Sequence, residues 1–514
     1  MSADTMAIAR AIELDEPGVP ADACEALALD GDAPVSLREA PERTRAWLRQ
    51  LAADVGVAAP AVQLAPVDGY DPVAGLDAAS DATAVALFAE VQLQPGPDSA
   101  AGSPLRDHLL AIAERCGWQL VHEHDASAAL LRHREALVAA VDRQRARLAA
   151  EGHDVARLLE RLRRRNAELR DGRRRGVAWV LRRRGEVDAL RLAPAGAGQQ
   201  AAMRALFAET FGHEMSAAHW QWKYGRGPGR GIVLLDAAGE LVAHYAGLTR
   251  ELRVFGERQL GCQVCDVIVA PRARRSLARR GPMFRLASTF LETQIGWGLP
   301  HAIGFGFPSA RHHGAADRLG LYEAVDRMVQ LSWPATASGA PLPCRSERVV
   351  LADGRFAPDQ RRVIDTIWQA MAEAMKDVAL GVRDARWLQW RFLERPEVDY
   401  EVTLLRSRWW RRPLGVLVTR RRDDALEVLD LVAPPAHFPL LIGFARRQAA
   451  AAGLPQLRCW ITASQQQRLA SIDAAAVRVE DLPIDVPACK HTAGPAPALL
   501  KARWFLLAGD ADFT

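Results

Sequence analysis

Residues Trp220-Gln221-Trp222-Lys223-Tyr224 lead into the apolar run Ile232-Val233-Leu234-Leu235 and then into Gly239-Glu240-Leu241-Val242. Further on, Trp387-Leu388-Gln389-Trp390-Arg391-Phe392 leads into Glu401-Val402-Thr403-Leu404-Leu405 and then Pro413-Leu414-Gly415-Val416-Leu417-Val418. Each copy reads as an amphipathic helix, a Trp-Lys/Arg-aromatic step and two short strands. A supersecondary unit that recurs in this way marks a duplicated domain. The fold class is α/β, with two similar units filling the C-terminal two thirds of the chain.

The pattern extends outward from both copies. Residues 201–211 place Met203, Leu206, Phe207 and Phe211 on one side of a helix. Runs at 232–235, 241–248 and 261–269 read as strands, the second opened by an Ala238-Gly239 turn. Residues 282–294 read as a helix, 302–307 as a buried strand and 310–319 as a helix closed by Gly320. A Pro/Gly/Ala linker occupies 335–343, and a helix at 364–375 restarts the pattern. Strands at 401–405, 414–419, 426–432 and 457–461, with a helix at 440–452, complete the second unit.

Before the first copy the signals are weaker. Residues 35–55 read as a helix, Val62-Gln63-Leu64 and Tyr70-Asp71-Pro72-Val73 as short strands, and 84–93 as an apolar run that ends at a Pro95-Gly96-Pro97 turn. A helix at 105–116 and a strand at 118–121 follow. Across 128–169, Val141, Leu148, Val155, Leu162 and Leu169 recur every seven residues, with Leu137 and Leu158 between them. A coiled-coil seam of a homodimer fits that spacing. Gly152-His153-Asp154 interrupts it, which favours a helical hairpin packed on its own domain. A strand at 177–181 ends the region.

At 514 residues the chain is too long for one core and should hold about three domains. A net charge of +4 is small for that size, so nucleic acid is not an expected partner. Only four residues are lysine, so nearly every cation is arginine and an arginine cluster is weaker as a signal. Seven cysteines show no disulfide framework, and Cys262-Gln263-Val264-Cys265 reads as buried strand, with no metal expected. No apolar run approaches the roughly 18 residues of a membrane span, and no signal peptide is visible, so a cytoplasmic protein without a membrane partner is expected.

The order helix, hairpin strands, long strand, Pro, Arg-rich loop, helix, strand, helix, Gly resembles the GNAT acyltransferase family. Asp266-Val267-Ile268-Val269-Ala270-Pro271-Arg272-Ala273-Arg274 looks like that family's fourth strand running into its acyl-CoA loop. Pro308-Ser309-Ala310 to Arg318-Leu319-Gly320-Leu321 looks like its last helix, and Trp504 to Asp512 resembles an ending found in tandem members. The resemblance covers about 187–514. It implies α+β GNAT-like units at 187–340 and 341–514, an active copy followed by a diverged one, behind a region at 1–186. Two departures stand out. The loop from Arg274 to Phe284 is long and holds one glycine, and Ala316 stands where the family often has its acidic tyrosine. The first region more faintly resembles the back half of a class I SAM-dependent methyltransferase, a degenerate scaffold without the early glycine turn that approaches the cofactor.

The resemblance implies acetyl-CoA or another acyl-CoA as co-substrate. Val267, Ile268 and Val269 would face the acyl group, and Gly281, Pro282, Met283 and Phe284 would offer a helix start to the pyrophosphate. Arg274, Arg275 and Arg280 would clamp phosphate oxygens. Asp266, His312, His313 and Tyr322 are the candidates for proton transfer, with Glu214, His219 and His301 also weighed. The second copy carries Pro434-Pro435 where a phosphate cradle belongs, and proline has no N–H to offer. The expected activity is N-acyl transfer to a small polar amine, such as an amino sugar or amino-acid derivative. A non-catalytic acyl-CoA-sensing or scaffold protein is the alternative.

Overall fold

The computed structural model describes residues 48–54, 56–57, 62–64, 72–79, 82–99, 105–150, 154–184, 190–225, 227–273, 281–337, 342–351, 354 and 356–513. The N-terminal unit contains β1 (Val62–Leu64), α1 (Pro72–Ala78), β2 (Ala84–Gln92), α2 (Arg106–Arg115) and β3 (Trp118–Asp125). It continues with α3 (Ser127–Arg143), α4 (Arg145–Ala150), α5 (Val155–Arg170) and β4 (Arg174–Arg183). Its sheet runs β1-β2-β4-β3, with β1 parallel to β2 and β4 antiparallel to both neighbours. Pro72-Val73, read above as strand, instead opens α1. Proline's fixed φ and missing N–H suit a helix's first turn. Val141, Leu148, Val155, Leu158 and Leu162 bury one another in a single cluster. The heptad residues therefore meet within one chain, in a hairpin of α3 and α5, and Asp154 caps α5 through the Arg157 N–H at 3.1 Å. Leu37 and Trp47 lie outside the described residues, as does the Leu137 side chain.

The first of the repeated units contains β5 (Arg191–Pro194), α6 (Gln200–Phe211), α7 (Ala217–Trp220), a π-helical turn (Gln221–Gly225), β6 (Gly229–Leu235), β7 (Leu241–Val254) and β8 (Glu257–Val269). It continues with α8 (Pro282–Gln294), β9 (Ile303–Gly306), α9 (Ala310–Arg318) and β10 (Tyr322–Pro334). The second contains β11 (Cys344–Arg348), α10 (Pro358–Ala374), β12 (Ala379–Gly381), α11 (Ala385–Leu388), a π-helical turn (Gln389–Leu393), β13 (Glu401–Ser407) and β14 (Pro413–Arg421). It ends with β15 (Leu426–Val432), α12 (Phe438–Ala451), β16 (Gln456–Thr462), β17 (Arg478–Cys489) and β18 (Trp504–Phe505).

Both units share one sheet, ordered β11-β13-β14-β15-β16-β10-β17-β9-β8-β7-β12-β18, with β6 added to β7 and β5 to β6. Its centre is exchanged. Strand β10, from the first unit, pairs with β16 of the second, while β17, from the second, pairs with β9 of the first. β10 and β17 pair with each other. The two π-helical turns meet across this arrangement. Trp222 and Trp390 stack at 4.7 Å and 9°, and each indole N–H donates to the other's carbonyl, at 2.8 and 3.4 Å. The tryptophan that precedes the Lys/Arg-aromatic step in each unit is thus the contact between them.

The N-terminal unit packs on the first repeated unit. Val85, Leu87, Leu109 and Ile112 share one buried cluster with Leu286 and Phe290 of α8. Arg115 of α2 donates to Thr289 at 2.8 Å and pairs with Glu292. The boundaries expected at 186/187 and 340/341 fall outside the described residues.

One buried carboxylate ties the N-terminal sheet to its helices. Glu90 of β2 meets Arg134 of α3 at 2.7 Å, Arg174 of β4 at 3.2 Å and Arg165 of α5 at 3.8 Å. Burial alone would raise its pKa, but the three guanidinium groups outweigh that and hold it at about 2. An unfolded glutamate titrates near about 4.3. A depressed folded value gives stability that is present above the unfolded pKa and lost as pH falls through the folded one. The contribution at neutral pH is on the order of 3 kcal/mol. In acid titrations followed by circular dichroism, Glu90→Gln should lower neutral-pH stability and flatten its dependence between pH about 4 and about 2. An unchanged profile would contradict this role.

Candidate active site

Strand β8 is paired on one side only over its last turn of chain. Its parallel register with β9 runs from Gly261↔Ile303 to Val264↔Gly306 and stops, while β8 continues to Val269. On the other side, its register with β7 skips between Ala246↔Cys265 and His244↔Ile268. This β-bulge puts Asp266 at φ 45°, a conformation that aspartate tolerates better than most residues. The bulge bends β8 as β9 ends, and the place where the two strands part is the candidate cleft.

The cleft has two chemically different sides. On the α8 side, Val264, Val267, Val269, Met283 and Phe284 form a half-buried apolar strip. Helix α8 begins there with Gly281 as N-cap and Pro282 in the first turn, and no side chain caps it among the described residues. Tyr322 is buried in the same cluster, its hydroxyl 3.0 Å from that of Tyr245. Burial, reinforced by Tyr245, pushes the Tyr322 phenol well above its usual pKa, so it stays protonated and able to donate. Ala316 and Leu319 of α9 pack into this cluster too. His313, one turn before Ala316, lies on the same side of α9. Its Nδ1 is 2.9 Å from Asp485 of β17, and its buried Nε2 has no hydrogen-bond partner among the described residues. His312 instead points to solvent, with Nδ1 3.0 Å from Ser309.

On the opposite side, the Asp266 carboxylate enters a buried ionic cluster. Lys223, 2% exposed, sits 2.8 Å from both Asp266 and Asp512. Tyr224 donates to Asp266 as well. Burial opposes charge on Lys223, Asp266 and Tyr224. The two carboxylates nevertheless hold the Lys223 ammonium above its usual range, and Lys223 holds Asp266 below the usual carboxylate range. His244 of β7 lies 2.8 Å from the Asp266 carbonyl. A carbonyl only accepts, so Nδ1 carries the proton and Nε2 keeps a lone pair. Burial keeps this ring neutral. A Cβ at Gly231 would lie 2.9 Å from its Nε2, so glycine there makes the room.

Residues 192–316 match the family model of the acetyltransferase (GNAT) domain. This part of the chain is similar to the GNAT acetyltransferase domain. No curated protein matches the sequence. Among solved structures, similarity extends to a conserved protein of Enterococcus faecalis V583 described as a probable N-acyltransferase, at 15% identity over 58% of this chain and 71% of that one, with a TM-score of 0.47. A GCN5-related N-acetyltransferase from Kribbella flavida gives 16% identity, 59% and 71% coverage and a TM-score of 0.40. Saccharomyces cerevisiae N-myristoyltransferase with bound myristoyl-CoA gives 9%, 62%, 85% and 0.39.

The expected site residues thus fall into groups within and beside the GNAT domain. Val267 and Val269 join the apolar strip with Met283 and Phe284, while Ile268 is buried on the far face. Arg274, Arg275 and Arg280 lie outside the described residues. Asp266 has no hydrogen bond or ion pair to His312, His313 or Tyr322 among the described residues. His301 is held between Gln294 O and Thr249, both at 2.9 Å, and burial pushes it down to about 4. Glu214 is exposed, and His219 packs against Trp222, at 5.5 Å between ring centroids. Sequence reasoning missed His244, Tyr245, Asp485 and Asp512. A histidine and a tyrosine inside the apolar run 241–248 were the available signal; Asp485 and Asp512 are distant in sequence and had none.

Removing Lys223 while keeping its partners leaves Asp266 and Asp512 buried and facing each other. Lys223→Met should therefore lower unfolding free energy by about 3–5 kcal/mol, read from urea denaturation. A wild-type midpoint would show that the cluster is not what holds this side of the cleft.

Proposed function

We propose that the protein is an acyl-CoA-dependent N-acyltransferase whose first repeated unit carries the reaction. The observation that carries this reading is the end of β8–β9 pairing at Val264↔Gly306, beside an apolar strip, an uncapped helix start and a buried tyrosine. The pantetheine arm lies along Val264, Val267 and Val269. The pyrophosphate sits on first-turn N–H groups of α8, at Gly281 to Phe284, where the helix dipole favours an anion. Arg274, Arg275 and Arg280 add phosphate contacts from the preceding segment.

The amine nitrogen attacks the thioester carbonyl carbon, the C–S bond breaks, and the product amide loses one proton while the CoA thiolate gains one. Tyr322 donates to the thiolate. His313 accepts from the amine: Asp485 holds its Nδ1–H and leaves the Nε2 lone pair free, the arrangement of an oriented general base. Asp266 is a positioning residue that fixes the bulge through Lys223. His312 takes no part. The acceptor is a small polar amine bound near the junction of the two units, where small-molecule sites tend to lie. The second unit is a diverged copy without its own CoA site, and the N-terminal unit buttresses α8.

CoA release with a panel of amines tests the reading. Tyr322→Phe and His313→Gln should each lower kcat by about 10²-fold or more, while His312→Ala retains turnover. Calorimetry should give one acyl-CoA per chain, and Arg274→Ala and Arg280→Ala should each weaken it by about 1–3 kcal/mol. Acyl-CoA binding with no turnover on any amine would favour the sensor. Two equivalent sites would contradict the assignment to the first unit.

A further inference from the structure

The hairpin between β13 and β14 ends in Ser407-Arg408-Trp409-Trp410-Arg411-Arg412. Trp409 and Trp410 are 82% and 79% exposed, more than any other large hydrophobic side chain among the described residues. A single exposed apolar residue is ordinary. Two adjacent indoles at one tip serve neither the core nor the proposed acyl site.

The tip is well tied. The Ser407 N–H donates to Arg412 O at 2.8 Å, Arg411 N–H to Ser407 O at 3.1 Å and Arg412 N–H to the Ser407 hydroxyl at 2.9 Å. Arg408 N–H donates to Pro343 O at 3.0 Å, and Arg411 adopts φ 49° to close the turn. The backbone therefore presents both indoles outward before any partner arrives, which lowers the ordering cost of binding. The surroundings are cationic. Arg408, Arg411 and Arg412 are exposed, and no carboxylate pairs with them among the described residues. Arg345 of β11, in register with Arg406, is exposed beside them.

We propose that this hairpin docks the protein onto an anionic lipid bilayer. Indoles favour the headgroup region, where the apolar ring is buried and the N–H stays hydrated. Arginines around them meet lipid phosphates and carboxylates, and basic residues close to an anionic membrane add attraction one by one. The contact is peripheral, since no helix among the described residues is long and apolar enough to cross a membrane. A single-stranded nucleic acid also uses aromatic rings and cations, but along a groove that tracks its backbone. A protein hot spot sits inside a ring of contacts that excludes water. This tip is convex and its cations face solvent, which fits a lipid surface better than either.

The test uses the full chain and sedimentation with vesicles of phosphatidylcholine alone or mixed with phosphatidylserine. The protein should pellet with the mixed vesicles, less so as salt rises, and stay in solution with phosphatidylcholine. Trp409→Ser/Trp410→Ser and Arg411→Ala/Arg412→Ala should each lower partitioning by about tenfold or more. Both pairs are exposed, so thermal melts and acyl-CoA binding should match wild type. The proposal fails if wild type does not pellet with mixed vesicles, or if the tryptophan variant pellets equally well. It also fails if an oligothymidylate, and not the vesicles, is bound through the tip. None of these outcomes depends on whether the protein transfers acyl groups.

Discussion

Four charges buried away from water run through the middle of this molecule. Arg250 of β7 pairs with Asp510 at 2.9 Å, Asp510 pairs with Arg383 at 2.5 Å, and Arg383 pairs with Asp430 of β15 at 2.8 Å. All four side chains are 0–2% exposed. Burial disfavours ionised Asp510, yet Arg383 and Arg250 hold its carboxyl below the usual range. Groups like these are tolerable only when each finds its partner, and removing one leaves the others uncompensated. The C-terminal turn therefore cannot leave without taking the carboxylate from Arg250 of the first unit and leaving Arg383 of the second with Asp430 alone. Two residues on, Asp512 completes the Lys223–Asp266 cluster and so reaches the bulge that shapes the cleft. The site in the first unit depends on residues supplied by the end of the second.

The two units match locally on either side of this stitch. Lys223 and Arg391 occupy matching positions, as do Tyr224 and Phe392, and both pairs sit in π-helical turns after a short helix. Asp266 and Asp430 both lie buried near the end of a strand that leads to proline. In the first unit the carboxylate meets a lysine from its own π turn. In the second it meets Arg383, while Arg391 turns to the Gly509 and Ala511 carbonyls. With β10 and β17 exchanged as well, neither unit has a complete sheet of its own. The units differ after these strands: β15 is followed by Pro434-Pro435, whereas β8 is followed by the long arginine-rich segment.

Much of this was legible in the chain. The recurring Trp-Lys/Arg-aromatic step ahead of two strands marked two matching stretches, and each holds a π-helical turn followed by a strand pair. Strand β8, Pro271 and the Pro282 helix start were legible because apolar runs and proline punctuate a sequence locally. The exchanged strands were not. β17 reads Arg478-Val479-Glu480-Asp481-Leu482-Pro483-Ile484-Asp485-Val486-Pro487, polar and broken by prolines, and its place is set by β9 and β10 rather than by its own pattern. Without β17 there was no way to see Asp485 beside His313. Likewise the ring matching of Trp222 and Trp390 suggested a core role, which the stacking explains, but Lys223 between such aromatics gave no sign of Asp512.

The central claim is that acyl-CoA lies in the cleft where β8 and β9 part, and nowhere else in the chain. A crystal structure with an unreactive thioether analogue of acetyl-CoA tests it most directly. The account predicts one molecule per chain, its acyl carbonyl against the Asp266–Ile268 bulge and its pyrophosphate at the Gly281–Phe284 helix start. Density in the second unit ahead of α12, or a cleft that remains filled by Val267 and Phe284 at saturating ligand, would contradict it.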